Sequence, residues 1–391
     1  MARSTRIQYQ DAYYQLVLHP VQAAGNLHAL YFAVAKNQHY AKENRLAANA
    51  EAETAKRLFE KDAAITKYYN DTLAHGKWTH MMDQTHIGYT YWQQPDSNKM
   101  PDVKLIKPLS APEMGIAFPG HGTDLPEFNA LRKREQYIDL FNRGTGHLSY
   151  KITSPVSWIK IDRPTGELQS ETRVRVSIDR DKAPKTSQHL ELLIAGGDKI
   201  EKIGVNYTNY PSNIQGFVPE DGVIAIEAEH FSAKQNVGTA DWRLLPGYGR
   251  TKSALSTFPV TADPRTPGTA NSPVLEYLIN LPKAGAYDVA AYLAPSLNFR
   301  NNSSMSYAVS IDDEQPQIVN INADGSEKAW NKHVADNINI QTTRHQITSP
   351  GQHRLKIWMV DAGIVLERLV ISPKGHQELR YLGPVESPYI K

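Results

Sequence analysis

Two glutamates, Glu227 and Glu229, stand at i and i+2 in the run IEAEHF and form the most conspicuous carboxylate pair of the chain. Paired carboxylates are the usual machinery of glycoside hydrolysis, where an acid and a nucleophile or base face each other across a sugar. On a strand, residues two apart share one face, so this pair supplies no opposed acid and nucleophile. Two like charges that close are tolerated when a cation lies between them, and hard carboxylate oxygens suit calcium. The competing reading is a pair of solvated or salt-bridged glutamates, with Arg250 or Arg368 as partner.

Two further stretches hold groups that could meet a sugar. In Lys77 to Pro101, KWTHMMDQTHIGYTYWQQPDSNKMP, tryptophan and tyrosine alternate with Gln and Asp without a helix or strand period. Ring faces cover the C–H patches of a pyranose, and amides and carboxylates exchange hydrogen bonds with its hydroxyls; Tyr89, Tyr91 and Trp92 are the candidate contacts. The bland alternative is a set of rings covering a junction between helical and β regions. The second stretch is APSLNFRNN, residues 294–302, where Asn298 and Arg300 are the candidates. A guanidinium pairs with a uronate carboxylate bidentately, although an ordinary polar loop explains the composition equally well.

Other chemistries find no support. PGYGRTKSAL places Thr251, not Gly, directly before Lys252 and so fails as a phosphate loop. There is no GxSxG elbow and no HExxH pair. His75, His80 and His86 match no helical metal spacing. The chain lacks cysteine, which excludes disulfides and thiolate metal sites. A net charge of +2 without a basic block argues against nucleic acid or an anionic membrane as partner. No apolar run is long enough to span a bilayer. Nothing in the first residues resembles a signal peptide.

The elements that must position these groups change period along the chain. Tyr13, Val17, Val21, Ala24, Leu27, Tyr31 and Val34 recur at helical spacing after Asp11, a candidate N-cap. Pro20 lies inside the pattern and should kink it. After a polar break at Lys36 to Gln38, a second helix is expected from Tyr40 to about Leu73, with Leu46, Ala50, Leu58, Ile65, Tyr69 and Leu73 on its apolar side. Two such helices make an antiparallel hairpin. A stable bundle needs more helices, so partners are expected upstream. Residues 95–126, rich in Pro and Gly, read as a linker. Strict alternation in Arg173 to Asp179, a repeat at His189 to Ala195 and a core Trp158 then indicate a small immunoglobulin-like sandwich. Short alternating runs from Val223 to Ile371 indicate a second antiparallel sandwich, a jelly roll. The predicted fold class is therefore multidomain α+β: a long helical hairpin (1–105), a linker and immunoglobulin-like β-sandwich (106–205), and a C-terminal jelly roll with a tail (206–391).

Several long runs together resemble glycoside hydrolase family 115, the xylan α-glucuronidases. They are YQLVLHPVQAAGNLHALYFAVAKN, HMMDQTHIGYTYWQQP, FVPEDGVIAIEAEHFSA with LPGYGRTKSAL, APSLNF, YAVSIDDEQPQIVNIN and YLGPVESPY. The resemblance implies the part of such an enzyme that follows its catalytic barrel. A barrel of about 250 residues with alternating strands and helices has no counterpart in this chain, so no catalytic residue is carried over. The implied role is an accessory one: completing the helical bundle, supporting a homodimer in the intact enzyme and bordering a cleft for glucuronoxylan or xylo-oligosaccharide. No cofactor is required by it. The opening strand of carbohydrate-binding jelly rolls also resembles IEAEHF, and that likeness implies a structural calcium on Glu227 and Glu229, with Asp361 of WMVDAG as a further ligand. Family members are typically secreted or periplasmic. Two other readings remain: a stand-alone carbohydrate-binding module on a helical stalk, and a purely structural dimerisation segment.

Overall fold

A computed structural model describes residues 9–89, 94–120, 122–211, 213–299, 304–378 and 380–391. The chain divides into two compact units, one built mainly from residues 1–126, 134–183 and 189–206, the other mainly from 207–391 with two short upstream pieces. Among the described residues no helix is long and apolar enough to cross a membrane.

The first unit opens with α1 (Gln10–Tyr13), a π-helical turn (Tyr14–Leu18) and α2 (His19–Lys42), followed by α3 (Ala47–Asp71). Pro20 stands in the first turn of α2, directly after the π-turn. Proline lacks an N–H and crowds the carbonyl four residues back, and a locally widened turn accommodates both defects. Asp11 lies within α1 rather than capping it; the N-cap is Tyr9, without a side-chain hydrogen bond.

The seam of the hairpin differs from the expected stripes. Asn26, Leu30, Ala33, Val34 and Asn37 of α2 are buried, together with Ala48, Ala52, Ala55 and Ile65 of α3. Alanines at i, i+4 and i+7 let the two backbones approach closely. Val17, Val21 and Tyr31 are exposed instead. The polar run at 36–38 does not break the helix because Asn37 is satisfied in place. Its amide donates to the carbonyls of Ala48 and Lys104, both at 2.8 Å, and its oxygen accepts the Lys104 N–H at 2.7 Å. The break comes later, at Asn44, whose φ of 52° is left-handed. Asn49 repeats the device on Ile106, donating to its carbonyl at 2.9 Å and accepting its N–H at 2.8 Å. The segment expected as a free linker is thus pinned along the hairpin by two asparagines that imitate peptide groups.

The sandwich of this unit contains β1 (Met114–Ala117), β2 (Glu135–Asn142), β3 (Leu148–Thr153), β4 (Ile159–Ile161), β5 (Thr165–Leu168), β6 (Glu171–Ile178), β7 (Gln188–Gly196) and β8 (Lys199–Thr208). One sheet has the order β1-β2-β6-β4 and the other runs β8-β7-β3-β5. Alternation decides which side chains face inward: Val174 and Val176 of β6 are fully buried, while Arg173 and Arg175 point outward. Trp158 is buried, in the core role expected of it. Asp139 of β2 binds Arg173 at 2.7 Å and the buried Arg45, just before α3, at 3.3 Å. Burial opposes the charge of Asp139, but the Arg173 and Arg45 guanidiniums outweigh it and hold the carboxyl below its ordinary range.

The second unit is a two-sheet antiparallel sandwich. Its strands are β9 (Ile224–Glu227), β10 (Ala233–Gln235), β11 (Asp241–Leu245), β12 (Ala254–Phe258), β13 (Val274–Leu281), β14 (Gly285–Leu293), β15 (Ser306–Ile311), β16 (Gln317–Asn320), β17 (Asn339–Ile347), β18 (Gly351–Met359) and β19 (Val365–Pro373). One sheet follows β16-β15-β18-β13, with β10 also on β13; the other follows β11-β12-β19-β14-β17, with β9 also on β19. Trp242, Leu255, Tyr277, Val289, Tyr307, Ile357 and Leu369 meet in one apolar core. Each fully buried aliphatic side chain there contributes about 1.5–3 kcal/mol. Helix α4 (Glu327–Asp336), which sequence patterning did not show, carries no buried residue. It is defined by its ends: Ser326 accepts the Ala329 N–H, and Asn337 terminates it in the left-handed region.

Candidate functional site

The described residues of the aromatic-rich run, 77–89 and 94–101, are fastened to the hairpin from several directions. His86 Nε2 lies 2.8 Å from an oxygen of the buried Asp62 on α3, and its Nδ1 lies 3.0 Å from the Gln84 carbonyl. Both nitrogens face acceptors, so only the doubly protonated ring satisfies both contacts. Burial lowers the affinity of His86 for its proton, but the Gln84 carbonyl and the Asp62 carboxylate more than offset this and raise its pKa. Asn98 Oδ1 accepts the N–H groups of His86 and Ile87, and Asn70 donates to Asp83 at 2.6 Å. The Gly88 N–H donates to the Tyr31 hydroxyl at 3.1 Å. Tyr89, at the end of this scaffold, is 41% exposed, and Gln84 donates to its hydroxyl at 3.4 Å. Tyr91 and Trp92 lie outside the described residues.

In the second unit, the loop after β14 leaves the sheet at Ala294, whose N–H still donates to Val365. Leu297 is exposed, Asn298 is half-buried and Phe299 is 53% exposed. Arg300 lies outside the described residues. The Phe299 ring rests on Gly363: a Cβ at that glycine would come within 2.7 Å of the ring and 3.7 Å of Val260. Gly363 has a φ of +88°, so both backbone and space require glycine there. Phe299, Leu297 and the exposed Val260 form an apolar tip at one end of the sandwich.

The three acidic residues are placed separately. Glu227 is buried at the end of β9, where the Thr251 hydroxyl contacts its two oxygens at 2.9 and 2.8 Å. Arg368, directly across the strand pair, lies 3.6 Å away, while the Arg250 N–H donates to Glu367 instead. Burial raises the pKa of Glu367, the Arg250 contacts oppose this, and Glu227 adds to the rise. Glu229 is half-buried beyond the strand. Asp361, buried, accepts the Ser306 N–H at 2.8 Å, and its own N–H donates to the Ser306 carbonyl. Among the described residues no three acidic or histidine side chains converge as a metal cage. The structural calcium expected on Glu227, Glu229 and Asp361 would have to compete with the Arg368 guanidinium at Glu227 and the Ser306 amide at Asp361.

Comparison with known proteins bears on the second unit most directly. The model of the glycosyl hydrolase family 115 C-terminal domain matches residues 216–386. That stretch is therefore similar to a family 115 C-terminal domain. Upstream of it, the model of a viral BACON domain matches residues 125–198. Among solved structures, the chain is similar to a family GH115 4-O-methyl-α-glucuronidase with specificity for decorated arabinogalactans, at 15% identity and a TM-score of 0.44. The match covers 95% of this chain and 31% of that one, so the chain spans about a third of that enzyme's length. It is also similar to a family 35 carbohydrate-binding module from Clostridium thermocellum, at 14% identity and a TM-score of 0.26, over 38% of this chain and 97% of that one. A module from Cellvibrio mixtus lichenase 5A, solved with cellotriose, matches at 17% identity and a TM-score of 0.24, over 39% and 97%. No curated protein matches.

Gly363, which sequence reasoning did not single out, organises the tip of the second unit by seating Phe299. Asp361, two residues earlier and singled out only as a metal ligand, ties the same turn to the start of β15. The signal was present in WMVDAG as a turn, but only the fold brings it under residues 294–299. The chain's C-terminal residues cover the outer face around β9 and β19: Ser387 bonds Ala225, and Glu386 accepts the Glu227 N–H at 3.0 Å and meets His230 at 2.6 Å.

Proposed function

We propose that this chain is the accessory region of a family 115 glycoside hydrolase and that its C-terminal sandwich binds glycan through the loop tip at Phe299. The observation that carries the reading is the half-exposed Phe299 ring, propped by Gly363 beside Val260 and flanked by Asn298. A rigid ring with an amide beside it offers a stacking face and hydrogen bonds to one sugar. In the intact enzyme the substrate class would be xylan bearing α-1,2-linked glucuronic acid or its 4-O-methyl form. Tyr89 with Tyr91 and Trp92, and Asn298 with Arg300, would then border the substrate. The exposed side of the hairpin, with Leu16, Val17, Val21 and Phe32, would receive the remaining bundle helices and support the homodimer. No residue of the chain is assigned to bond cleavage. The test is direct: purified chain is expected to retard on glucuronoxylan in affinity electrophoresis and to release no glucuronic acid from it. Phe299→Ala should abolish the retardation. Release of glucuronic acid, or undiminished retardation of the variant, would overturn the reading.

A further inference from the structure

A cleft of about 370 Å³ opens on the same sandwich, where the residues after β9 meet β10 and β11. Its volume lies at the small end of ligand-binding clefts, the size for one ring-sized ligand. Trp242 of β11 lines it; the residue is 2% exposed, and its Nε1–H has no acceptor among the described residues. A buried donor left without a partner costs about 1–3 kcal/mol. Glu229 faces the same space with a carboxylate that has no partner among the described residues. Lys234 of β10 spends two of its three donors, on Asp241 at 3.2 Å and the Trp242 carbonyl at 2.8 Å, and keeps one. His230 uses Nδ1 on Glu386, which leaves Nε2. The apolar part of the wall comes from Phe231 and from Leu244, which is 47% exposed.

We propose that this cleft is a second glycan subsite that takes a single neutral aldose ring, separate from the loop tip; the proposal rests on the reading of the domain as glycan-binding. A sugar ring presents what the walls require, an apolar face toward Phe231 and Leu244 and hydroxyls that both donate and accept. Donors and acceptors are mixed at the wall: a carboxylate that takes two hydroxyl protons, a spare ammonium donor and an imidazole nitrogen. The charge decides the class. Asp241 lies between Lys234 at 3.2 Å and Arg243 at 3.5 Å, and Glu229 balances the second of these cations, so the cleft holds no surplus positive charge to pair with a uronate. The subsite therefore selects backbone sugars.

The test uses the full chain labelled with ¹⁵N and follows the indole N–H resonance of Trp242, assigned through Trp242→Phe. Xylotetraose should shift that resonance saturably, and D-glucuronate should not. Glu229→Ala and Leu244→Ala, both at half-buried or exposed positions, should weaken the response at least tenfold, and Phe299→Ala should leave it intact. Xylotetraose binding that depends on Phe299 without any response of Trp242 overturns the second subsite while leaving the loop-tip reading standing. No binding of xylotetraose or glucuronoxylan at all overturns both. A Trp242 shift produced by calcium chloride alone and reversed by chelator would make Glu229 a cation ligand and refute the proposal. Equal binding of D-glucuronate would refute the charge argument and the ligand class with it.

Discussion

Gly363→Ala tests the loop-tip site through its support rather than through the contact itself. Two penalties follow from the structure. The backbone at φ +88° is disfavoured for an L residue by about 1–2 kcal/mol. The new Cβ would stand 2.7 Å from the Phe299 Cζ and 3.0 Å from its Cε1. These atoms are the far end of a half-exposed side chain on a loop, so the ring moves away and the core does not. The stability loss is then the backbone term alone, which for a unit of this size lowers Tm by about 2–8 °C. The binding loss is larger in relative terms. Burying one phenylalanine face against a ligand is worth up to about 1.5–3 kcal/mol, roughly ten- to a hundredfold in Kd. Affinity electrophoresis on glucuronoxylan and a thermal melt measure the two effects separately. The double variant Gly363→Ala with Phe299→Ala makes the reasoning strict: once the ring is gone, the added methyl has nothing left to displace. Its affinity should equal that of Phe299→Ala alone, a non-additive pair. If Gly363→Ala binds like the parent chain, or if the two losses simply add, Gly363 does not act through Phe299.

Three further outcomes follow from the geometry. Asn37→Ala removes three hydrogen bonds, two of them to the backbone of Lys104, and at about 1 kcal/mol each should destabilise the hairpin by about 2–4 kcal/mol in urea titration; proteolysis between residues 101 and 112 should accelerate, and unchanged cleavage would contradict the pinned linker. The His86 pKa is raised, so its contribution to stability is fully present below about pH 6.5 and is lost as pH rises through the folded value. An NMR titration of the His86 ring should give a midpoint above 6.5, and a midpoint at or below that value would refute the two-acceptor reading. Burial raises the Glu127 carboxyl to about 7, Thr208 opposes the shift, and Asp221 and Glu220 add to it. The folded state then loses stability as pH rises from about 4.5 to 7, by about 3 kcal/mol. Glu127→Gln should remove most of that pH dependence in urea midpoints measured at pH 5 and pH 8.

How far the sequence speaks depends on whether a property is periodic or relational. The alternation in Arg173 to Asp179 and the run from Val274 to Leu281 showed their strands because inward and outward positions differ in polarity. The hairpin was legible in kind but misplaced in register, because two of its seam positions carry asparagine. Asn26 and Asn37 look like surface residues to any hydrophobic count. They are buried because each finds backbone partners, at Leu58 for Asn26 and at Ala48 and Lys104 for Asn37. Helix α4 escaped notice for the opposite reason: it buries nothing, so only its caps announce it.

The acidic residues show the same limit at the level of function. Glu227, Glu229 and Asp361 share a chemistry in the sequence, which left open a shared calcium or glutamates paired with Arg250 or Arg368. The fold gives each a different neighbour. Glu227 falls opposite Arg368 because β9 pairs with β19 in that register, and the hydroxyl of the exposed Thr251 also reaches its oxygens. Asp361 falls at a strand end, where the Ser306 amide needs an acceptor, and its carboxylate fixes the turn that carries Gly363. Of the three, Glu229 alone has no hydrogen bond or ion pair among the described residues. Glu227 and Asp361 are tied into the scaffold of this domain, which leaves Glu229 as the carboxylate of the trio whose role the proposed subsite would account for.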